Sequence, residues 1–367
     1  MRKLFEFVRR EAVLTAAFVC AAASAFFVRP DAEYIGYIDF RVLCMLFCLM
    51  GVVAGLRESG AFVRLAAALL SGEKSVKMVY LALVLLPFFS SMLVTNDVAL
   101  LTFVPFTLMV LEAMGRPRDM VRIVVLQTVA ANLGSMATPV GNPQNLFLFS
   151  YYSLGAADFF GTVLPFTALS LLVVVPAMVK TRGSVNVTMP SELPLRPGLM
   201  KLCAALFLLC LLAVFRVLDY RILTVICAAA LLLADRKLLK MVDWSLLATF
   251  VCFFVFSGNL GRMPAVRGAL SSLMEWNSLL ASAAASQVIS NVPAAVLLAP
   301  MTADWRGLLL GVDLGGLGTP VASLASLISL KLYMASPGAS AGRFLAFFSL
   351  VNFAGLFIML AAAFMWI

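Results

Sequence analysis

The sequence predicts an all-α polytopic membrane protein, an inverted repeat with two re-entrant hairpins, two broken transmembrane helices and about nine spans. Three observations carry this expectation. First, 63% of the 367 residues are hydrophobic and only 12% charged, with a mean hydropathy of +1.04. A soluble domain has about 45–50% apolar and about 25% charged residues. Second, the stretch Asn132–Asn145, NLGSMATPVGNPQN, sets Pro139, Pro143, Gly134 and Gly141 inside an apolar run. Each proline removes a backbone donor and clashes with the preceding turn. Exposed to lipid, the freed backbone groups would each cost several kcal/mol, so backbone broken at this depth faces protein or a watery cavity. Third, the stretch has a twin. Asp313–Ser326, DLGGLGTPVASLAS, aligns with it without a gap. Asn132 falls on Asp313, Gly134 on Gly315, Thr138-Pro139-Val140 on Thr319-Pro320-Val321, Asn142 on Ser323 and Asn145 on Ser326. Two interrupted hydrophobic segments at matching places in two halves point to a transporter's binding site.

Taken in order, Arg2, Lys3, Arg9 and Arg10 precede an apolar run from Val13 to Val28. The Ala-rich AAASA at 21–25 leaves a cleaved signal peptide as the competing reading, but the run is long enough to stay as a span. A second span covers Asp39–Leu56, followed by an amphipathic piece, Arg57–Leu70, whose Arg57 and Arg64 suit an interfacial helix. From about 77 to 113 two apolar arms flank a polar knot, SSMLVTND at 90–97. Each arm is short for an untilted span, which predicts a re-entrant hairpin with Thr95-Asn96-Asp97 at its tip. The first broken helix covers about 120–151, and a span at about Phe159–Met178 closes a first repeat half, 1–180. Residues 181–201 are polar, with Pro190, Pro194 and Pro197, and read as a cytoplasmic linker.

The second half, 202–367, opens with an extra span, Leu202–Phe215, and another at Arg221–Ala234. The block 38–69 then recurs at 242–273, with Gly55 on Asn259 and Ala61 on Ala265. A second hairpin, about 277–302, carries the knot SQVISNVPA at 286–294, in which Ser286 matches Ser91 and Ser290-Asn291 match Thr95-Asn96. The second broken helix, about 304–336, and a last span from Leu345 complete the chain. Blocks that recur in the same order mark an internal duplication.

The charge of +9 is spread between apolar segments rather than gathered on one face, which argues against nucleic acid and suits the positive-inside rule. With the N-terminus cytoplasmic and both hairpins returning to the side they entered, most of the 27 Lys and Arg residues fall inside. The odd extra span makes the second half enter from the opposite side, hence the inverted repeat, in a cell (plasma or inner) membrane. The seven cysteines, among them Cys20, Cys44, Cys48, Cys203 and Cys210, lie mostly in apolar runs without a C-x-x-C and read as small core residues. With no histidine and no base–nucleophile pair, an enzyme is not expected. No cofactor is expected either, apart from Na⁺ if that is the coupling ion.

A helix that stops within the membrane leaves N–H groups at one end and C=O groups at the other. The positive end suits an anion, and the carbonyl end with Asn, Ser and Thr oxygens suits Na⁺ or a proton carrier. Asp97 and Asp313 are acids inside membrane segments, which are expensive and usually functional. Structural readings stand beside these. Thr95 and Ser290 can cap the second hairpin arms, and Asp97 can be a helix-start acid. Gly134, Gly141, Gly315 and Gly318 read first as packing and bend residues, Gln287 and Asn259 as interhelical glue, and Arg41 as snorkelling to the outer interface.

At VTNDVALLTFVP (94–105), NLGSMATPVGNPQN (132–145), SNVPA (290–294) and DLGGLGTPVASLAS (313–326) the chain resembles the ion transporter superfamily, in its citrate-transporter-like and arsenite-pump-like branch. The resemblance covers about 38–367. In the sodium/dicarboxylate members, paired Ser-Asn-Thr hairpin tips and the adjacent broken helices hold Na⁺ and the substrate carboxylates. The resemblance places those roles on Thr95, Asn96, Ser290, Asn291 and the two breaks. This sequence departs at the third tip position, Asp97 in one half and Val292 in the other, which puts Na⁺ stoichiometry and Na⁺ coupling itself in question. The DLG…TP…SLA run is closer to the arsenite-pump side, whose members export an oxyanion-type substrate. The resemblance also implies a homodimer and an elevator-like movement.

The candidate substrate-binding residues are Asn96, Thr138, Asn142, Asn145, Asn291, Thr319, Ser323 and Ser326. The candidate coupling-ion residues are Thr95, Asp97, Asn132, Ser290 and Asp313. The expected partners are a small anionic substrate and the lipid bilayer, with no nucleic acid. The expected function is a secondary active transporter of a small carboxylate or oxyanion, driven by an H⁺ or Na⁺ gradient through alternating access. The alternative is a Na⁺/H⁺ antiporter with Asp97 and Asp313 as the exchanging carboxylates. A passive channel fits two breaks in an inverted repeat less well.

Overall fold

Apolar length decides the architecture. In the computed structural model, which describes residues 11–175, 183–187 and 195–366, the first half runs α1 (Ala12–Phe27), α2 (Glu33–Tyr37), α3 (Phe40–Glu58), α4 (Ala61–Leu70), α5 (Val76–Ser90), α6 (Asn96–Ala113), α7 (Met120–Ser135), α8 (Pro143–Tyr151) and α9 (Ala156–Val174). The second half runs α10 (Pro197–Val214), α11 (Tyr220–Ala234), α12 (Arg236–Lys240), α13 (Trp244–Gly261), α14 (Pro264–Ile289), α15 (Asn291–Leu298), α16 (Trp305–Leu314), α17 (Leu324–Met334) and α18 (Ala341–Trp366). Among the described residues six helices are long and apolar enough to cross a membrane: α3, α6, α9, α10, α13 and α18. At about 1.5 Å per residue an 18-residue helix reaches about 27 Å, close to the hydrocarbon thickness of a bilayer. The chain is thus a predominantly helical, polytopic integral membrane protein. Polar and proline-bearing stretches cut two further hydrophobic runs into shorter helices, α7 from α8 and α16 from α17.

The repeat seen in the sequence is repeated in the packing. Helices α5 and α6 pack on α7, and their counterparts α14 and α15 pack on α16. The second parts of the broken helices cross over: α17 packs on α6 and α7, and α8 packs on α15 and α16. The helix before each twin also crosses, α1 lying on α13 and α11 on α3. Glycine allows the closest of these approaches. A Cβ on Gly134 would stand 2.1 Å from Phe88 O and 2.8 Å from Ser91 Oγ. On its twin Gly315 it would stand 2.9 Å from Ser286 Cβ and 3.0 Å from Ala283 Cα. Ser91 and Ser286 are matched positions, so the two halves make one contact twice. Within α14, Asn277 is extended (φ −168°, ψ 101°) and accepts from Leu280 N at 2.8 Å. That interruption falls where the sequence sets the start of the second hairpin.

Some boundaries shift. The extra span begins at Pro197, whose missing N–H suits a first helical position, not at Leu202. The last helix begins at Ala341, not Leu345. Within the expected linker, residues 184–187 form a strand, β2 (Ser184–Val187), antiparallel to β1 (Gly72–Ser75) just ahead of α5. Arg2, Lys3, Arg9, Arg10, Pro190 and Pro194 lie outside the described residues.

Candidate functional site

The two breaks, 136–142 and 315–323, and the two hairpin tips, 91–95 and Ser290, form one buried polar centre. Each tip is tied to the break of its own half by the same bonds. Asn96 N donates to Gly141 O at 3.2 Å, and Asn291 N to Ala322 O at 3.0 Å. Thr138 Oγ1 donates to Met92 O at 2.5 Å, and Thr319 Oγ1 to Gln287 O at 2.9 Å. Gly141 and Ala322 are matched positions in the internal alignment, as are Met92 and Gln287.

A second set of bonds joins the halves, with Asn96 adding one from within the first half. Asn132 Oδ1 accepts from Asn96 Nδ2 at 2.9 Å and from Ser323 Oγ at 3.2 Å, while Asn132 Nδ2 donates to Gly316 O at 3.4 Å. On the other side, Asp313 Oδ1 accepts from Asn142 Nδ2 at 3.1 Å and from Gln144 Nε2 at 3.2 Å. Asn132 is the twin of Asp313, and Ser323 the twin of Asn142, so each helix end before a break reaches the break of the opposite half. Asn96, Asn132, Asn142, Gln144, Asn291, Asp313 and Ser323 are each no more than 5% exposed. Asp313 Oδ2 is buried with no hydrogen-bond partner among the described residues.

Four helices start at this point: α6 at Asn96, α8 at Pro143, α15 at Asn291 and α17 at Leu324. Their first residues, with Ser323 and Leu246, enclose a void of ≈ 10 Å³, about the room one water needs. A helix N-terminus carries about half a positive charge and several unpaired N–H groups. Four of them meet at one void whose lining holds no lysine or arginine but does hold Asp97. Asn96 N and Asn291 N are bonded to the breaks, and Asp97 N and Val292 N to the Asn96 and Asn291 side chains, so it is the helix dipoles that suit an anion here. Beside the void, a cavity of ≈ 550 Å³ is lined by Thr95, Asp97, Asn142 and Pro143 at its inner end, and by Arg57, Lys240 and Asp243 further out.

Not every candidate side chain faces the void. Thr138 and Thr319 spend their hydroxyls on hairpin carbonyls. Asn145 holds the first break together, donating from N to Asn142 Oδ1 at 2.8 Å and from Nδ2 to Met136 O at 3.2 Å. Ser326 Oγ is buried without a partner among the described residues, as is Ser329 Oγ one turn on. Neither Thr95 nor Ser290 caps a helix with its side chain. Ser290, at φ 72°, donates to Ala322 O at 3.2 Å instead, and Asn142 is the residue that caps α8. Gln287 binds the second break from both sides, donating to Gly315 O and accepting from Thr319 N. Asn259 joins α13 to Ser24 and Tyr34. Arg41 donates to Ala213 O at 3.0 Å. The sequence reading passed over Gln144, because its twin is the apolar Ala325. A glutamine in the first turn of a helix that starts inside an apolar run was the available signal.

Comparison with known proteins adds a family. A family described as citrate transporter matches residues 4–308. An uncharacterized transporter of Methanocaldococcus jannaschii is 31% identical over 337 residues, covering 90% of this chain and 91% of that protein. The inner membrane protein YbiR of Escherichia coli is 31% identical over 301 residues, 80% of each chain. An uncharacterized transporter of Mycobacterium bovis is 25% identical over 338 residues, covering 80% of this chain and 78% of that protein.

Proposed function

The chain belongs to the citrate transporter family, and from that premise we propose that it is a secondary active transporter of a small carboxylate or oxyanion, coupled to an H⁺ or Na⁺ gradient by alternating access. The observation that carries this reading is the convergence of four helix N-termini on one void between the two repeat halves. The helix dipoles, the amides of Asn96 and Asn291 at the void and that of Asn142 at the adjoining cavity favour an anion. Asp97 and Asp313 supply the carboxylates on which a coupling cation can reside, Asp313 through its unpartnered Oδ2.

On this reading α5–α6 and α14–α15 are re-entrant hairpins, the α7–α8 and α16–α17 pairs are broken spans, and the repeat is inverted with about nine spans. The basic residues Arg57 and Lys240 around the ≈ 550 Å³ cavity then set that cavity, and the N-terminus, on the cytoplasmic side. The void alone is too small for an organic acid, and it shares Asp97 and Pro143 with the ≈ 550 Å³ cavity, so the room for a substrate lies on that side.

The test is flux into and out of proteoliposomes with imposed Na⁺ and pH gradients, over a panel of dicarboxylates, tricarboxylates and oxyanions. Gradient-driven accumulation of one class supports the reading. Cation exchange that proceeds at full rate with no permeant anion would replace it with Na⁺/H⁺ antiport through Asp97 and Asp313.

A further inference from the structure

Internal symmetry assigns a role to a second cavity that the site does not use. The ≈ 550 Å³ cavity beside Asp97 is lined, among others, by Met50, Ala54, Arg57, Leu101, Asp243 and Ile328. Their counterparts in the other half are Phe254, Gly258, Gly261, Val296, Asp39 and Phe147, and all six line a separate cavity of ≈ 580 Å³. The two cavities are therefore one feature built twice.

They differ in how deep they reach. The first extends to Thr95, Asp97 and Asn142, whereas the counterparts Ser290, Val292 and Ser323 do not line the second. Phe147 and Phe254 stand in the way, with ring centroids 5.8 Å apart, backed by Tyr151 at 5.4 Å from Phe147. Phe147 lies one turn beyond Pro143 and Gln144, which line the void, and so shares their helix face. Phe254 lies two turns beyond Leu246, which also lines the void. Ser257 Oγ donates to Val296 O at 3.0 Å and pins α13 to α15 on this side. The position matched to Ser257 in the first half is Val53, which has no side-chain donor to make that bond.

We propose that the ≈ 580 Å³ cavity is the second vestibule of the same path, sealed by Phe147 against Phe254, and that Met50 and Ile328 form the matching seal in the opposite state. This rests on the alternating-access reading. Arg267 is the basic side chain in its lining, which suits a vestibule that receives the same carboxylate or oxyanion. The seal lies between α8, a part of the broken-helix core, and α13, so exchanging one pair for the other moves that core against α13 and α3.

The experiment labels single added cysteines with a membrane-impermeant maleimide in vesicles of either orientation, scored above the parent chain's own level. Val296→Cys should react only from the Arg267 side, and its counterpart Leu101→Cys only from the Lys240 side. Val292→Cys, at the void, should gain labelling from the Arg267 side when Phe147→Ala is added. The gain should be on the order of tenfold, which corresponds to about 1.4 kcal/mol. The pair Met50→Cys with Ile328→Cys should crosslink under copper–phenanthroline oxidation, and the crosslink should expose Val292→Cys to the Arg267 side without any Phe147 change. Val296→Cys that reacts from neither side, or from the same side as Leu101→Cys, would overturn the proposal. So would Val292→Cys labelling that Phe147→Ala and the crosslink both leave unchanged. None of these readouts needs a substrate: anion flux with the wrong labelling pattern defeats the seal alone, and the right pattern without flux of any anion defeats the transport reading.

Discussion

Asp313 allows the sharpest separation of structure from coupling. Its Oδ1 accepts from Asn142 Nδ2 and Gln144 Nε2, and both donor residues are 2% exposed. Asp313→Ala strands two buried amide donors. At about 1–3 kcal/mol for each unsatisfied group, the loss is about 2–6 kcal/mol, before any gain from rearrangement. Asp313→Asn keeps an oxygen where Oδ1 stands and replaces the unpartnered Oδ2 by an amide nitrogen. Both bonds survive, and the one new unpartnered amide group costs about 1–3 kcal/mol, about half the loss expected for alanine. Thermal inactivation of the detergent-purified protein reads this difference: a larger drop in midpoint for alanine than for asparagine. Flux reads the other half. With no carboxylate to take the coupling cation, Asp313→Asn should lose uphill accumulation while still exchanging substrate across the membrane. Full gradient-driven accumulation by Asp313→Asn would refute the coupling role, and an alanine variant as stable as the parent would refute the bonding argument.

The remaining predictions concern the hairpin tips and one close helix contact. Asp97→Asn should weaken the dependence of uptake on the imposed pH or Na⁺ gradient and leave substrate exchange in place, measured by counterflow; an unchanged gradient dependence removes Asp97 from coupling. Asn96→Ala and Asn291→Ala should each abolish uptake while the protein still elutes as a folded species, because each loses an amide that both donates and accepts; normal uptake by both would rule the tips out. Gly134→Ala should lower the midpoint of thermal inactivation by an overpacking cost of about 1–3 kcal/mol, because its Cβ would stand 2.1 Å from the backbone oxygen of Phe88. A midpoint equal to that of the parent would show that α5 and α7 can move apart there.

What could be read in advance follows from which forces are local. Prolines and glycines interrupt a helix by their own covalent geometry, so both breaks and their pairing were legible in NLGSMATPVGNPQN and DLGGLGTPVASLAS. The hairpin tips were legible as polar knots for a similar reason, since Asn96 and Asn291 mark helix starts. The bonds from Asn132 to Ser323 and from Asp313 to Asn142 were not, because they depend on how the halves cross. The partners of the candidate ligands Thr138 and Thr319 were not legible either, since their hydroxyls donate to the hairpin carbonyls of Met92 and Gln287, which only the packing of hairpin on break brings near. The β1–β2 pair was hidden because it joins Gly72–Ser75 to Ser184–Val187, four-residue segments far apart in sequence, of which only SVNV alternates and over too few residues to announce a strand.

The departures from symmetry are the most informative residues of the site. The helix N-termini at Asn96, Pro143, Asn291 and Leu324 are supplied twice over, two by each half. The carboxylates are not: Asp313 faces Asn132 as its twin, Asp97 faces Val292, and Gln144, which binds Asp313, faces Ala325. A duplicated feature is what recognition of one ligand from both sides of a membrane requires, because each half presents it when its own side is open. A cation that must be bound with a fixed stoichiometry needs its carboxylates only once per cycle. On the proposed reading, then, backbone dipoles and amides select the anion, and the two unmatched acids with Gln144 set the coupling. The division has a measurable consequence. Neutralising Asp97 or Asp313 should change the cation dependence of flux and leave the order of preference among competing anions as it was; a reordered preference would place the acids in substrate recognition after all.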